Sequence, residues 1–231
     1  MSKDLKNVVS VSLTTVLSRV TGLLRDVLIF AALGASAWSS AFIVGFTIPN
    51  LFRRLFGEGA LSSAFIPVFS TIIKKKNVQS ALEFFSHFIV RWIFLLTGLA
   101  IALVLIVQVF LSIDALPERW VLSFKIFQWL LPYMIFICLA AIFSGALNSI
   151  GRFFSASFAP VLFNLVLIVT VLVGISKGGS ESGIIIWLCS GVLLGGLLQL
   201  LLPLMDLKKQ GWSLDRNNDV AEFSESFQSF W

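Results

Sequence analysis

The sequence has 231 residues, of which 58% are hydrophobic and only 13% are charged. An ordinary soluble domain has about 25% charged residues and needs a polar surface around its core, so this composition excludes one and predicts helices that lie in lipid. The 17 Lys and Arg residues exceed the 12 Asp and Glu residues. We assign this excess to cytoplasmic loops and not to nucleic-acid binding, because no basic stripe alternates with exposed aromatic residues.

The apolar stretches, taken in chain order, predict an all-α polytopic transmembrane bundle. A helix needs about 20 residues to cross the hydrocarbon core. Six stretches meet this length and together form a transmembrane lobe over residues 1–205: 8–32, 39–73, 84–113, 123–148, 157–175 and 183–205. The polar residues 206–231 are expected to form a cytoplasmic tail.

The positions of Lys and Arg predict the orientation of this bundle. With six spans, nine of these residues lie on the side of the two termini and three on the opposite side, while five lie within spans or at their ends. Cytoplasmic loops carry an excess of Lys and Arg. We therefore expect both termini to be cytoplasmic.

The first span carries a polar stripe. At 100° per residue its members lie within one arc of about 80°, and they are Ser12, Thr15, Arg19, Gly22 and Asp26. Such a stripe predicts a helix with one wet face that lines a cavity. Arg25 lies off the stripe, about 100° from Asp26. It either snorkels to the membrane surface or reaches around to the same cavity.

The second span is expected to be interrupted. Ile48-Pro49-Asn50 and Gly57-Glu58-Gly59 should each break the helix, because proline lacks a donor and glycine weakens helices. Broken backbone at membrane depth is tolerated where it is buried in protein or lines a watery cavity. The alternative is that residues 60–73 form a separate, shorter helix.

Four polar residues of the second span are candidates for the same cavity: Asn50, Arg53, Arg54 and Glu58. Arg54 and Glu58 are one turn apart and can form an ion pair. That leaves Arg53 and Arg19, and less clearly Arg25, without an obvious carboxylate partner. Guanidinium groups bind phosphate in a bidentate way, so the sequence favours a phosphate-bearing substrate. The alternative is that these arginines snorkel to lipid head groups.

Sites for other kinds of chemistry are not indicated. The sequence has a single histidine, His87, and no phosphate-binding glycine loop, nucleophile–base set or metal-ligand spacing. We therefore expect no enzyme activity, metal or cofactor. Asn164 is more typical of helix–helix hydrogen bonding than of a ligand, and Gly191-x-x-x-Gly195 is typical of close helix packing.

The chain contains two long motifs and several shorter ones. The long motifs are Ser18-Arg19-Val20-Thr21-Gly22-Leu23-Leu24-Arg25-Asp26 and Ile48-Pro49-Asn50-Leu51-Phe52-Arg53-Arg54-Leu55-Phe56-Gly57-Glu58-Gly59-Ala60. The shorter ones are Leu131-Pro132-Tyr133, Gly145-Ala146-Leu147-Asn148, Phe158-Ala159-Pro160 with Asn164, and Gly195-Gly196 with Gln199-Leu200. Together these motifs resemble the MurJ/MviN family over about residues 5–212, and the long ones are the most specific.

The resemblance implies one lobe of a MATE-like transporter in the bacterial inner membrane. It implies that the substrate is lipid II, a disaccharide-peptide on undecaprenyl pyrophosphate, moved to the outer leaflet for cell-wall synthesis. Arg19, Arg25 and Arg53 match family arginines that line a cationic cavity, where the pyrophosphate would bind. The family is thought to use alternating access between two lobes, driven by an ion or the membrane potential.

Two departures from the family bear on function. The chain has Ser40 where the family has an acidic residue, which leaves ion coupling at that position without its charged group. Family members have about fourteen helices, so we expect a second lobe from another chain or from a homodimer, or else a truncated or split product. The alternatives are a non-transporting membrane subunit or inactive remnant, and an exporter of another anionic amphiphile.

Overall fold

The computed structural model describes residues 3–55, 60–112 and 116–214. Seven helices account for nearly all of these residues: α1 (Lys3–Leu33), α2 (Ala37–Phe52), α3 (Ala60–Lys75), α4 (Val78–Leu111), α5 (Glu118–Ser149), α6 (Phe154–Ser176) and α7 (Glu181–Lys209). The prediction of an all-helical bundle is therefore confirmed.

Polar caps and glycines set the ends of these helices. Three helices begin at a side-chain oxygen that accepts a backbone N–H, and the capping residues are Ser36, Asn77 and Ser180. Four helices end just before a glycine with positive φ: Gly34, Gly151, Gly178 and Gly211. Short connections result, and one of them joins α6 to α7, which pack closely against each other.

The predicted second span contains two helices. α2 stays helical through Pro49 and continues as a wider, π-type turn over residues 53–55, so the expected break at Ile48-Pro49-Asn50 is wrong. Proline removes a single N–H, and the packing of α2 on α5 holds the remaining turns. Asn50 Nδ2 also donates to the Phe46 carbonyl at 3.2 Å. α3 is a helix of its own, and the predicted break at Gly57-Glu58-Gly59 lies outside the described residues.

α5 is the central helix of the bundle. It packs against α2, α4 and α7, while α6 joins α1 to α7 on one side. Its fully buried side chains include Leu130, Met134 and Cys138. Glycines let the other helices approach closely: Gly45 lies against Ile126 of α5 and Gly191 lies against Thr170 of α6.

Four of the described helices, α4 to α7, are long and apolar enough to cross a membrane. α2 and α3 have 16 residues each, and α1 contains Arg19, Arg25 and Asp26. α4 presents apolar side chains outward, and Phe94 is 74% exposed, as suits a surface in lipid. The six-span topology stays a prediction. The predicted start of the tail after residue 205 stays one too, and the helix α7 continues past that point to Lys209.

Candidate functional site: a cavity lined by three arginines

A partly polar cavity lies where α1, α2, α5, α6 and α7 converge. Its volume is about 510 Å³. The lining residues come from all five helices and from the turn that follows α2: Arg25, Phe46, Thr47, Asn50, Leu51, Arg53, Arg54, Tyr133, Ile137, Pro160, Phe163, Asn164 and Gln199. Three of these described residues are arginines and none is a carboxylate, so the wall of the cavity is cationic.

Arg25 is held from two sides. Its Nε and Nη2 donate to Asp26 Oδ1 at 2.9 and 2.7 Å, and its Nη1 donates to Asn164 Oδ1 at 2.6 Å. The expectation that Arg25 lacks an obvious carboxylate partner is wrong, because its long side chain turns along the helix surface to reach its neighbour. The Arg25 side chain is 19% exposed and that of Asp26 is 64% exposed. The guanidinium thus lies at the edge of the cavity while its carboxylate partner faces outward.

Asn164 joins α6 to α1 beneath Arg25. Its Nδ2 donates to the Ser18 carbonyl at 3.0 Å and lies 3.4 Å from Thr21 Oγ1. The predicted helix–helix hydrogen bonding of Asn164 is therefore present. The same side chain also accepts the bond from Arg25, so it belongs to the cavity as well as to the helix interface.

The other two arginines, Arg53 and Arg54, come directly after the end of α2. The π-type turn at residues 53–55 places Arg53 and Arg54 beside the cavity, with Asn50 one turn earlier. Wider turns of this type are frequent at functional sites because they re-aim the side chains that follow. Arg53 is half-buried and Arg54 is exposed, so the two differ in their access to water.

Three stacked aromatic rings form an apolar part of the wall. The ring centroids of Phe46 and Tyr133 lie 5.6 Å apart, and those of Tyr133 and Phe163 lie 5.4 Å apart. Beside this stack, Gln199 Oε1 is buried and has no hydrogen-bond partner among the described residues. A buried unpaired amide oxygen that lines a cavity is available to a ligand or water.

A smaller apolar pocket adjoins the cavity between α1 and α2. Its volume is about 350 Å³, and it shares Arg25, Phe46 and Thr47 with the larger cavity. Its remaining walls are mainly hydrophobic, from residues that include Ile29, Phe30, Phe42 and Ile43. A cationic space and an apolar space therefore meet at Arg25.

The predicted site residues are only partly brought together. Arg25, Asn50, Arg53 and Arg54 line the cavity. None of the five stripe residues lines this cavity. Ser12, Thr15 and Arg19 are exposed elsewhere on α1, and Gly22 faces Asn164. Asp26 is exposed, pairs with Arg25 and lines the adjoining apolar pocket. Contact of the exposed stripe with water stays a prediction. Glu58 and its predicted pair with Arg54 lie outside the described residues.

Sequence reasoning from charge did not identify the uncharged lining residues Tyr133, Phe163, Thr47 and Gln199. Aromatic and amide residues are common in apolar helices, so composition alone does not distinguish them. Tyr133 and Gln199 do fall within motifs of the family resemblance. Ser40, the departure from the family, is exposed on α2 and donates to the Ser36 carbonyl at 3.1 Å.

Comparison with known proteins places this arrangement in a family. The profile described as lipid II flippase MurJ matches residues 29–228, which is most of the chain. The chain belongs to the MurJ family. It is therefore a multi-pass membrane protein, and the family is one of transporters and not of enzymes.

Individual relatives agree with this assignment. A lipid II flippase MurJ from Burkholderia cenocepacia is 35% identical over 205 residues, which cover 87% of this chain and 39% of the relative. A probable lipid II flippase MurJ from Buchnera aphidicola subsp. Acyrthosiphon pisum is 35% identical over 210 residues, covering 89% of this chain and 40% of the relative.

A solved structure shows the same fold. It is lipid II flippase MurJ in an inward closed conformation, and it matches with a TM-score of 0.68 and 26% sequence identity. The match covers 95% of this chain and 46% of that one. The prediction of a fold like one lobe of such a transporter is confirmed. The chain spans about 40% of the length of the curated MurJ relatives described above.

Proposed function

We propose that this chain is one lobe of a lipid II flippase in the bacterial inner membrane and that its arginine cavity takes the pyrophosphate of the substrate. The observation that carries this proposal is the convergence of Arg25, Arg53 and Arg54 on one cavity within a MurJ-family fold. Relatives that share about a third of its residues are named as lipid II flippases.

The chemistry of the cavity supports an anionic substrate. Guanidinium stays charged at all relevant pH values and binds phosphate oxygens through two parallel hydrogen bonds. Charged groups in an apolar lobe are costly, so a cluster of three arginines favours an anionic ligand that offsets their mutual repulsion. The same cluster disfavours cationic drugs, which the arginines would repel.

The neighbouring apolar pocket supports an amphiphilic substrate. The pocket and the cavity share Arg25, so a phosphate bound at the guanidinium has an apolar space next to it. A lipid pyrophosphate combines these two chemistries in one molecule. A free sugar phosphate, which has no apolar part, would leave the apolar pocket empty.

Transport requires a second lobe in this proposal. Alternating access in transporters of this type depends on two repeats that rock around a central site. The described helices supply one wall of such a site, so a separate chain or a second copy of this chain would supply the other. Coupling to an ion or to the membrane potential would then act on the assembled transporter.

The test is rescue of a bacterium depleted of its own flippase, with lipid II in the outer leaflet as the measured quantity. The chain is expressed alone and together with the remaining C-terminal part of the Burkholderia relative. We expect rescue in at least one arrangement and its loss on Arg25→Ala. Lys125→Ala, an exposed cation outside the cavity, is the matched control and should rescue fully.

The two arrangements separate the alternatives. Rescue by the chain alone would indicate a homo-oligomer, and rescue only with the second part would indicate a single lobe. Failure of both, with the protein shown in the membrane by blotting, would contradict the proposal and favour a non-transporting subunit. Rescue that is unchanged by Arg25→Ala would remove the arginine cavity from the mechanism.

We also propose that both termini are cytoplasmic, as the distribution of Lys and Arg indicates. Reporter fusions after Lys76 and after Lys209 should show cytoplasmic activity, and a fusion after Pro117 should show external activity. A reversed signal at any of the three would require a different number of spans.

A further inference from the structure

The guanidinium of Arg25 has hydrogen-bonding capacity left over. It carries five N–H groups. The three bonds to Asp26 and Asn164 engage one N–H on each of its three nitrogens. Within the described part of the chain, one N–H on Nη1 and one on Nη2 therefore remain. Both of these N–H groups can donate to phosphate oxygens.

Asn164 is the fixed partner in this arrangement. It is 5% exposed on α6, and its amide nitrogen donates to the Ser18 carbonyl of α1. Asp26, in contrast, is mostly exposed and follows Arg25 in sequence, so it moves with the same helix. Only Asn164 ties the guanidinium to a second helix among these contacts.

Gly22 of α1 packs closely against the Asn164 amide of α6. A Cβ at Gly22 would lie 3.3 Å from Asn164 Nδ2, which is tighter than an ordinary contact. The absence of a side chain at Gly22 thus allows the Asn164 amide to reach the backbone of α1. The hydrogen bonds of the amide in turn orient its oxygen toward Arg25.

We propose that Asn164 is a positioning residue, which holds the Arg25 guanidinium so that its two remaining N–H groups face one phosphate of the substrate. This inference rests on the proposed function and specifies how its anion site is built. The amide oxygen suits the role because it accepts from the guanidinium without adding a second carboxylate to that of Asp26. A carboxylate at residue 164 would compete with the phosphate for the same cation.

The test measures binding of inorganic pyrophosphate to the purified full chain in detergent by titration calorimetry. We expect Arg25→Ala to weaken binding at least tenfold and Asn164→Ala to weaken it about fivefold, as for the loss of one hydrogen bond of average strength. Asn164→Asp should weaken it more than Asn164→Ala. In the Arg25→Ala background, Asn164→Ala should have no further effect, because its role acts through Arg25.

Controls separate positioning from folding. Asn148→Ala, an exposed asparagine on α5, should leave binding unchanged. Gly22→Ala disturbs the Asn164 amide from the opposite side and should weaken binding about twofold to threefold, again only when Arg25 is present. It serves as the second variant if Asn164→Ala lowers the thermal midpoint too far for titration.

The outcomes distinguish this inference from the proposed function. Equal weakening by Asn164→Ala with and without Arg25, or no weakening at all, would overturn the positioning role while the anion site stands. Unchanged pyrophosphate binding in both Arg25→Ala and Arg53→Ala would instead remove the anion site, and with it the proposed function and this inference.

Discussion

Two regions of the lobe differ in the kind of side chain that forms them. One is an aromatic cluster where α3, α4, α5 and the residues after α7 meet, and it consists of Phe65, Phe69, Phe84, Phe85, Phe88, Phe143 and Trp212. Its rings contact one another at centroid distances such as 4.7 Å for Phe65 and Phe88. The other is the arginine cavity, which leaves about 510 Å³ open among cationic and amide groups.

The comparison shows which region of the lobe is closely packed and which leaves space for the proposed anion. The aromatic cluster is fully packed, and it fixes the chain after α7 through Trp212 and through a hydrogen bond from Ser86 Oγ to the Ser213 carbonyl at 2.7 Å. The cavity lacks such packing, and its polar side chains are held by a few hydrogen bonds and one ion pair. Substitutions in the cluster should therefore change stability, and those in the cavity should change binding.

The largest expected effect on stability is in the aromatic cluster. Phe85→Ala removes a fully buried ring that contacts Phe65, Phe143 and Trp212, and it should cost about 3–5 kcal/mol. Phe94→Ala on the same helix removes an exposed ring and should cost far less. Unfolding in detergent, followed by tryptophan fluorescence, measures both. Similar midpoints for the two variants would contradict the assignment of the cluster as the core.

A smaller effect is expected at the aromatic wall of the cavity. A Cβ at Gly196 of α7 would collide with the Tyr133 ring, which belongs to the aromatic wall of the cavity. Gly196→Ala should therefore cost about 1–3 kcal/mol and also alter pyrophosphate binding, because the displaced ring enters the cavity. Gly98→Ala in α4 is the control, since a Cβ there meets nothing within 4 Å. An equal shift of both midpoints would refute the steric argument.

The fold was largely predictable because its signals are local. Long apolar runs predicted α4 to α7. Three of these four runs lie within one observed helix, and the run 84–113 passes the end of α4 at Leu111. The predicted helix break at Pro49 was wrong. A proline removes only one hydrogen bond, and the contacts of α2 with α5 that hold the helix are not visible in the sequence. The aromatic cluster was not predicted either, because phenylalanine is equally suited to lipid and to a protein core.

The cavity was predictable for its arginines and for Asn50, and not for its other lining residues. Arg25, Arg53 and Arg54 stand out in an apolar chain, and the structure brings them to one space. The wheel for α1 placed Arg25 off the wet stripe, because a wheel describes where Cα–Cβ bonds point and not where a long side chain ends. The bond between Arg25 and Asn164 joins residues 139 positions apart, a pairing that needs the tertiary fold.

Arg54 offers the opposite contrast to Phe85. It is exposed and lines the cavity, so Arg54→Ala should change the free energy of unfolding by less than about 0.5 kcal/mol. It should nevertheless weaken pyrophosphate binding severalfold, because it removes one of three lining cations. Lys125→Ala, an exposed cation of α5 outside the cavity, is the matched control. Equal weakening of pyrophosphate binding by the two variants would show that net charge, and not the cavity, attracts the anion.

The smallest perturbation tests the two exposed faces of α1. Ser12 and Thr15 are exposed on the predicted wet stripe, while the neighbouring Leu13 is 65% exposed on an apolar face. Single cysteines at these positions should hardly affect stability, since none is in the core. A thiol reacts as the thiolate, which forms in water and not in lipid. A water-soluble maleimide should therefore label Ser12→Cys and Thr15→Cys in membranes much faster than Leu13→Cys. Equally slow labelling at all three positions would mean that α1 meets lipid on both faces. The cavity would then be confined to the space around Arg25.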